Sequence, residues 1–422
     1  MTAFAIGCVV LLLLLTAVRF ASTLAYVRDA RSFDAAPLPD GPAPRVAVLM
    51  PVRGADPHLA RGIESVLEQD YPNFELRIVV DSVRDPAWEV ASRVVGERQA
   101  EHVFIEELRE KRPTCSLLCS ALLQFFGRIE SSSDIMAICA SDSIVPRYWL
   151  REMVAALADP SVGATLGNRW YMPATARWGS LVRYMWNAAS VVYMRMYRIP
   201  WGGAMALRVA DVRRSGLLDR WRRAMVEDTS MPVALEALGL KLKHIPNLIV
   251  VNREETDLAS CFRFITRQLF WVSLYYPAGG KPMFAVGMLI GLATIVPVVL
   301  AAVAALAGQF VAFWWLAGGF AAHVAVMLCS LLAIDRNMRQ RIACRGEPTT
   351  PLTLPMLLKF PLALPLAQLV FFGATLAARF LRVVEWRGIR YRIRGPLDVE
   401  MLEYRPYVPS GGTVEANASV EG

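Results

Sequence analysis

The chain has 422 residues, 45 of them basic and 37 acidic, with a mean hydropathy of +0.37. That length holds one catalytic domain of ordinary size plus several membrane helices, and that hydropathy excludes a purely soluble enzyme. Seven scattered cysteines exclude a secreted disulfide framework and suit a reducing compartment, and the basic excess lacks the aromatic interleaving of a nucleic-acid surface.

Residues 1–35 read as an N-terminal transmembrane anchor. The run Thr2–Ala25 is long enough to cross a bilayer as a helix, and its basic residues Arg19, Arg28 and Arg31 follow the apolar centre. A cleaved signal peptide carries its cations first, so the N-terminus is expected outside and the next domain in the cytoplasm. Pro-rich Ala36–Pro44 then reads as a linker.

Residues 45–257 read as an α/β catalytic domain with a mostly parallel, Rossmann-like sheet. Apolar strand runs at Val46–Met50, Leu76–Val80 and Ile135–Cys139 alternate with helical stretches at Asp56–Gln69, Cys115–Phe126 and Tyr148–Leu157. Residues just past the strand ends of such a sheet line the ligand crevice, which places Asp81 and Asp142 to meet a substrate. Cys115 and Cys119 share a helix face, but no histidine or second cysteine pair completes a zinc set. The four histidines are dispersed and carry no catalytic expectation; His323, inside an apolar span, is a candidate polar contact within the membrane.

Residues 258–282 mix Arg263 and Arg267 with Phe262, Phe264, Phe270 and Trp271, which suits an amphipathic helix in the membrane interface or one packed on the domain. Residues 283–384 hold the C-terminal membrane helices. Spans Met283–Ala307 and Phe310–Ile334, joined at Gly308–Gln309, must form an antiparallel hairpin, and an Arg-rich loop, Asp335–Glu347, returns to the cytoplasm. The stretch Leu354–Ala378 carries Lys359 and is interrupted by Pro355, Pro361 and Pro365. A single crossing there would put the basic tail, 385–422, outside, so a re-entrant or interfacial course is expected. Ser410–Gly422 reads as a polar, disordered end. The arginine-rich composition, with only five lysines among the 45 cations, suits a GC-rich bacterial genome and hence an inner membrane.

Several of these segments carry a resemblance. Val46-Ala-Val-Leu-Met-Pro51-Val-Arg-Gly54 and Gln69-Asp-Tyr-Pro-Asn-Phe-Glu75 ahead of a strand ending at Asp81 resemble the opening of the inverting family 2 glycosyltransferases, which have the GT-A fold. The likeness continues through Asp142, Gly202-Gly203, Glu227-Asp228-Thr229 and Trp386-Arg-Gly-Ile-Arg-Tyr-Arg392. The layout resembles the ceramide glucosyltransferase branch and its hopanoid-modifying relatives. The resemblance implies transfer of a glucose- or GlcNAc-type sugar from a UDP-sugar to a lipid hydroxyl, at the cytoplasmic leaflet.

It also implies roles. Asp228 matches the family's general base, with Glu227 as its alternate, although an acid here is also suited to cap a helix starting near Met231. Donor contacts are expected from Pro51, Asp81, Gly202, Gly203, Arg263, Arg267 and Trp271, with Asp85 sharing the role of Asp81 or serving as a plain turn residue. Asp142 is the candidate ligand for Mg²⁺ or Mn²⁺, but the family's Asp-x-Asp turn reads Ala140-Ser141-Asp142 here. The family's Arg-x-x-Arg-Trp element likewise reads Arg267-Gln-Leu-Phe270-Trp271, one arginine short. Trp170 and Trp201 are candidates for an acceptor wall, with core packing as the alternative. Two other functions fit less well: a processive polysaccharide synthase, which needs more membrane spans, and an inactive scaffold that keeps a donor-binding fold.

Overall fold

The structure is a computed structural model that describes residues 2–31 and 42–407. Most of the expected linker and the polar end after residue 409 therefore lie outside the described residues. In chain order the elements are α1 (Thr2–Arg31), β1 (Val46–Val52), α2 (Leu59–Leu67), β2 (Phe74–Val80), α3 (Pro86–Arg98), β3 (Val103–Glu107), α4 (Leu117–Ile129) and β4 (Ile135–Cys139). There follow α5 (Trp149–Leu157), β5 (Val162–Tyr171), α6 (Trp178–Met196), β6 (Ala204–Arg208), α7 (Val209–Arg214), α8 (Leu217–Trp221), α9 (Met231–Glu236) and β7 (Lys241–Asn252). The remainder is α10 (Leu258–Tyr275), α11 (Pro277–Leu306), α12 (Phe310–Cys344), α13 (Leu354–Ala378), β8 (Val383–Trp386), β9 (Ile389–Gly395) and β10 (Asp398–Glu403).

Seven strands form one sheet in the order β3-β2-β1-β4-β6-β5-β7, parallel except for β6 against its two neighbours. This is the mostly parallel α/β architecture expected from the sequence. The chain winds outward from β1 to β2 and β3, then returns to place β4 on the other side of β1. Ligands bind at such a reversal, outside the carboxyl ends of the strands. Both faces of the sheet are buried, so β1 and β4 read as unbroken apolar runs. Val46, Val48 and Met50 pack with α2, α3 and α5, whereas Ala47 and Leu49 belong to a second core that continues through α4, α6, α10 and α13. The catalytic domain and the membrane helices therefore share one hydrophobic core on that face.

Four helices among the described residues are long and apolar enough to cross a membrane: Thr2–Ala30, α11, α12 and α13. Gly308, at φ +68°, turns the chain between α11 and α12, as the three-residue connection requires. Near that turn Ala301, Ala304, Ala312 and Leu316 pack against Ala5 and Val9 of α1. The opposite ends meet the catalytic domain: Asp29 pairs with Arg195, and Arg345 pairs with Glu152 at 2.6 Å.

Three expectations need correction here. The segment from 258 is not a single helix to 282, since α10 ends at Tyr275 and α11 begins at Pro277, where a proline suits the first helical position. The Arg-rich stretch after Ile334 is helix to Cys344 rather than loop, held by i,i+4 contacts from Arg339 to Asp335 (2.5 Å) and from Arg341 to Asn337 (3.0 Å). The basic tail is a three-stranded antiparallel sheet, β8 to β10, seated on the catalytic domain through Met401 N–H donating to the Pro113 carbonyl (2.7 Å) and Leu117 N–H donating to the Tyr391 hydroxyl (3.2 Å).

α13 runs unbroken for 25 residues despite Pro361 and Pro365. Both of its ends lie against the catalytic domain. Before it, Arg253 donates to the Pro348 carbonyl at 2.6 Å; near its start Lys359 donates to the Ala176 carbonyl at 2.8 Å; after it comes the seated sheet.

Candidate active site

A cavity of about 660 Å³ opens at the sheet reversal and continues under α6, α10 and the start of α11. The turns after β1, β2 and β4 form one end, with Pro51, Arg53, Asp81 and Asp142, and Met194, Leu269, Val272 and Met283 form the other. Glu227, Asp228, Trp201, Gly202 and Gly203 line it as well, as do Arg263, Arg267 and Trp271. Residues from six separate segments, chosen from the sequence alone, thus meet in one space.

Asp228 is fixed by backbone donors. Gly202 N–H reaches one carboxylate oxygen at 2.9 Å and Thr229 N–H the other at 2.5 Å. The helix-cap alternative does not describe this geometry: α9 starts at Met231 with no side-chain cap, and it is the Asp228 carbonyl, not its carboxylate, that accepts from Met231 N–H. Burial raises the pKa of Asp228, and the Gly202 and Thr229 hydrogen bonds oppose that rise. Glu227 beside it is 6 % exposed, and burial, then the charge of Asp228, push it up to about 8. Neighbouring carboxyls driven apart in this way leave one proton on the pair near neutral pH. Gly202 is required by space: a Cβ there would sit 1.6 Å from Glu227 Oε1.

At the end of the cavity formed by the strand turns, Asp81 is 3 % exposed. Its Oδ2 accepts from Arg53, in an ion pair, and from the Tyr404 hydroxyl at 3.1 Å, while Oδ1 is buried with no partner among the described residues. An orphan buried acceptor is costly unless something donates to it, and a nucleobase or ribose donor has the right chemistry.

Asp142 Oδ1 accepts from Arg169 Nη2 at 3.2 Å and its Oδ2 from Asn252 Nδ2 at 3.3 Å. No group of three His, Cys, Asp or Glu side chains suited to a metal occurs among the described residues. With alanine at 140 and an arginine already on Asp142, the donor set fits a divalent cation poorly, because Mg²⁺ and Mn²⁺ need hard oxygen ligands free of competing cations.

Two other expectations fail on geometry. Asp85 does not line the cavity; it caps α3 through Ala87 N–H (2.9 Å) and holds Gly54 N–H with both oxygens. Trp170 is fully buried, packed edge-on against Tyr184 at 5.6 Å, and also outside the cavity. Side chains alternate along a strand, so Arg169 and Tyr171 face the cavity and Trp170 the core. Sequence reasoning missed Arg53, Asp56, Arg169, Arg183, Asn252 and Arg387, all of which line the cavity. The period-2 pattern of β5 was the available signal for Arg169.

The model of glycosyl transferase family 21 matches residues 5–396. The chain belongs to glycosyl transferase family 21. Curated relatives include a probable glycosyltransferase, YdaM, of Bacillus subtilis (23% identity over 53% of this chain and 54% of that protein) and an N-acetylglucosaminyltransferase of Rhizobium meliloti (26% over 61% and 62%). A ceramide glucosyltransferase of Komagataella phaffii is 40% identical over 58 residues, 14% of this chain and 11% of that protein. The chain thus spans between half and two thirds of the first two relatives. Among solved structures, a mannosyltransferase of Pyrobaculum calidifontis in complex with GDP-Man and Mn²⁺ aligns over 89% of this chain and 98% of its own at 19% identity and a TM-score of 0.46. A glucosyl-3-phosphoglycerate synthase of Mycobacterium tuberculosis with Mn²⁺ and UDP aligns over 55% of this chain and 80% of its own at 14% identity and a TM-score of 0.37.

Proposed function

We propose that this family 21 protein transfers a glucose- or GlcNAc-type sugar from a UDP-sugar to the hydroxyl of a ceramide- or hopanoid-like lipid, with inversion, at the cytoplasmic leaflet. The observation that carries this reading is the continuity of the cavity. It runs from the orphan acceptor on Asp81, past Asp228, to apolar side chains of α6, α10 and α11 beside the membrane helices. A nucleoside suits the first end and a lipid tail the last, which leaves the lipid hydroxyl beside Asp228.

The chemistry follows from that order. Asp228, oriented by Gly202 and Thr229, takes the proton of the attacking hydroxyl. The hydroxyl oxygen bonds to the anomeric carbon as the bond from that carbon to the diphosphate oxygen breaks, its electron pair leaving with the nucleoside diphosphate. Attack from the face opposite the leaving group inverts the centre. Glu227, holding the pair's proton, keeps a second negative charge away from the base.

Charge supports the orientation. Arg28, Arg336, Arg339, Arg341 and Arg345 cluster at the catalytic end of the helices, whereas residues 2–18 and 300–318 carry no charge, which favours a cytoplasmic catalytic domain. With both ends of α13 against that domain, α13 enters the membrane without delivering the chain to the other side.

The test is a panel of labelled UDP-sugars offered to the purified protein with total membrane lipid. A lipid bearing one β-linked sugar by NMR is expected from an α-linked donor. A polymer, or an α-linked product, would contradict the reading.

A further inference from the structure

The poor fit of Asp142 to a metal raises the question of what neutralises the leaving diphosphate. Arg169 is a fixed, mostly buried cation: its guanidinium lies 4.6 Å over the Trp201 ring, Nη2 pairs with Asp142, Nη1 reaches the Tyr171 hydroxyl at 3.1 Å, and Nε is buried without a partner among the described residues. Arg387 stands at the tip of the β8–β9 hairpin, whose two turn residues, Arg387 and Gly388, have φ of +48° and +77°. Such a turn favours Asn-Gly or Gly-Gly, so an arginine held there in the left-handed region points to a use for its side chain.

That side chain reaches back to the site. Arg387 donates to both oxygens of Asp56, at 2.7 and 3.2 Å, and to the Arg53 carbonyl at 2.8 Å, and it lines the same cavity as Asp142. Arg267 on α10 lines it too, and it makes no hydrogen bond or ion pair among the described residues; only the Phe264 ring lies beneath it, at 6.0 Å. Burial foremost, and the positive charge of Arg387 after it, push Arg267 below the ordinary arginine value. Like charges brought together with one of them unpaired make a site for an anion. Phe270, where the family's second arginine would stand, packs against Trp271 at 5.1 Å and supplies no charge.

We infer that Arg169, Arg267 and Arg387 form a guanidinium clamp for the donor's diphosphate, and that this clamp, in place of a divalent cation on Asp142, carries the leaving group's charge. Planar guanidinium groups match phosphate oxygens bidentately. As the bond from the anomeric carbon to oxygen breaks, the clamp donates to the departing diphosphate oxygens while the hydroxyl proton goes to Asp228. The inference rests on the reading of the donor as a nucleoside diphosphate sugar.

Calorimetric binding of UDP and of uridine to the full-length protein in detergent tests it, in EDTA, in Mg²⁺ and in Mn²⁺. UDP is expected to bind in EDTA within about threefold of its affinity with either metal. Arg387→Gln and Arg267→Gln are each expected to weaken UDP about tenfold or more, the loss of one charged hydrogen-bond pair. Uridine affinity stays unchanged in both, which separates a phosphate contact from a misfolded pocket, and Arg387→Lys recovers part of the loss. UDP binding that appears only with metal overturns the clamp and leaves the proposed function standing. No UDP binding under any condition overturns both.

Discussion

Gly202 shows how little freedom the carboxyls of Glu227 and Asp228, the proposed catalytic pair, have. Its missing Cβ makes room for Glu227 and its N–H holds Asp228, so Gly202→Ala is expected to displace both acids and reduce transfer about a hundredfold, as measured by initial rates. Asp228→Asn keeps the shape and removes the base. It should lower transfer by about three orders of magnitude while leaving UDP affinity within a few-fold. Glu227 bears on stability through pH. Its folded value lies near 8 against an ordinary 4.5, so its contribution is fully present below about 4.5 and is lost as pH rises toward 8. Glu227→Gln should flatten that decline in thermal melts between those values, and an unchanged pH slope would contradict the assignment. These residues were legible because each is a polar group set against an apolar strand or a glycine pair. Asp85 and Trp170 misled for opposite reasons: a helix cap and a substrate ligand use the same residue type, and the face a strand residue presents depends on register. Arg387 was quoted in a motif but given no role, since nothing local brings residue 387 beside residue 56.

At the scale of elements, β1 and β4 were readable as continuous apolar runs because both faces of the sheet are covered, and β2 from its apolar end, Ile78–Val80. β9 was also written in the sequence, as Ile389-Arg-Tyr-Arg-Ile-Arg394 with alternate residues buried and exposed. Its arginines drew attention as charge, although period-2 alternation is the stronger structural signal. The helix α13 was obscured by its prolines. What holds it is tertiary: Thr294 donates to Gln368 Oε1 at 2.7 Å, Gln368 Nε2 lies 3.1 Å from His323 Nε2, and His323 Nδ1 lies 2.7 Å from the Thr16 hydroxyl. One hydrogen-bonded chain thus ties α1, α11, α12 and α13 inside an apolar bundle. Gln368→Leu breaks that chain in the middle and is expected to cost about 1–2 kcal/mol, seen as a lower midpoint in detergent melts, while the initial rate of the folded fraction is retained.

The whole molecule places its connections to the catalytic domain at one end of the helix cluster, and residue 2 and the Gly308 turn at the other. A single cysteine in place of Gln309 should therefore react with an impermeant thiol reagent from outside the cell, and one in place of Glu400 only after the membrane is opened. The shared core between sheet and helices, together with the C-terminal sheet seated over one end of the cavity, makes the protein one unit in which the start of α11 closes the other end; in the proposed function that other end takes the acceptor. The family and the mostly parallel sheet followed from local motifs, but the strand order and the closure of the cavity by residues from 51 to 391 could come only from the fold. The most direct test is transfer of labelled sugar from UDP-sugar to membrane lipid by the purified protein and its Asp228→Asn variant, side by side. The account predicts a lipid carrying one labelled sugar from the native protein and none from the variant, with UDP still bound by both. Equal labelling by the two proteins would contradict it.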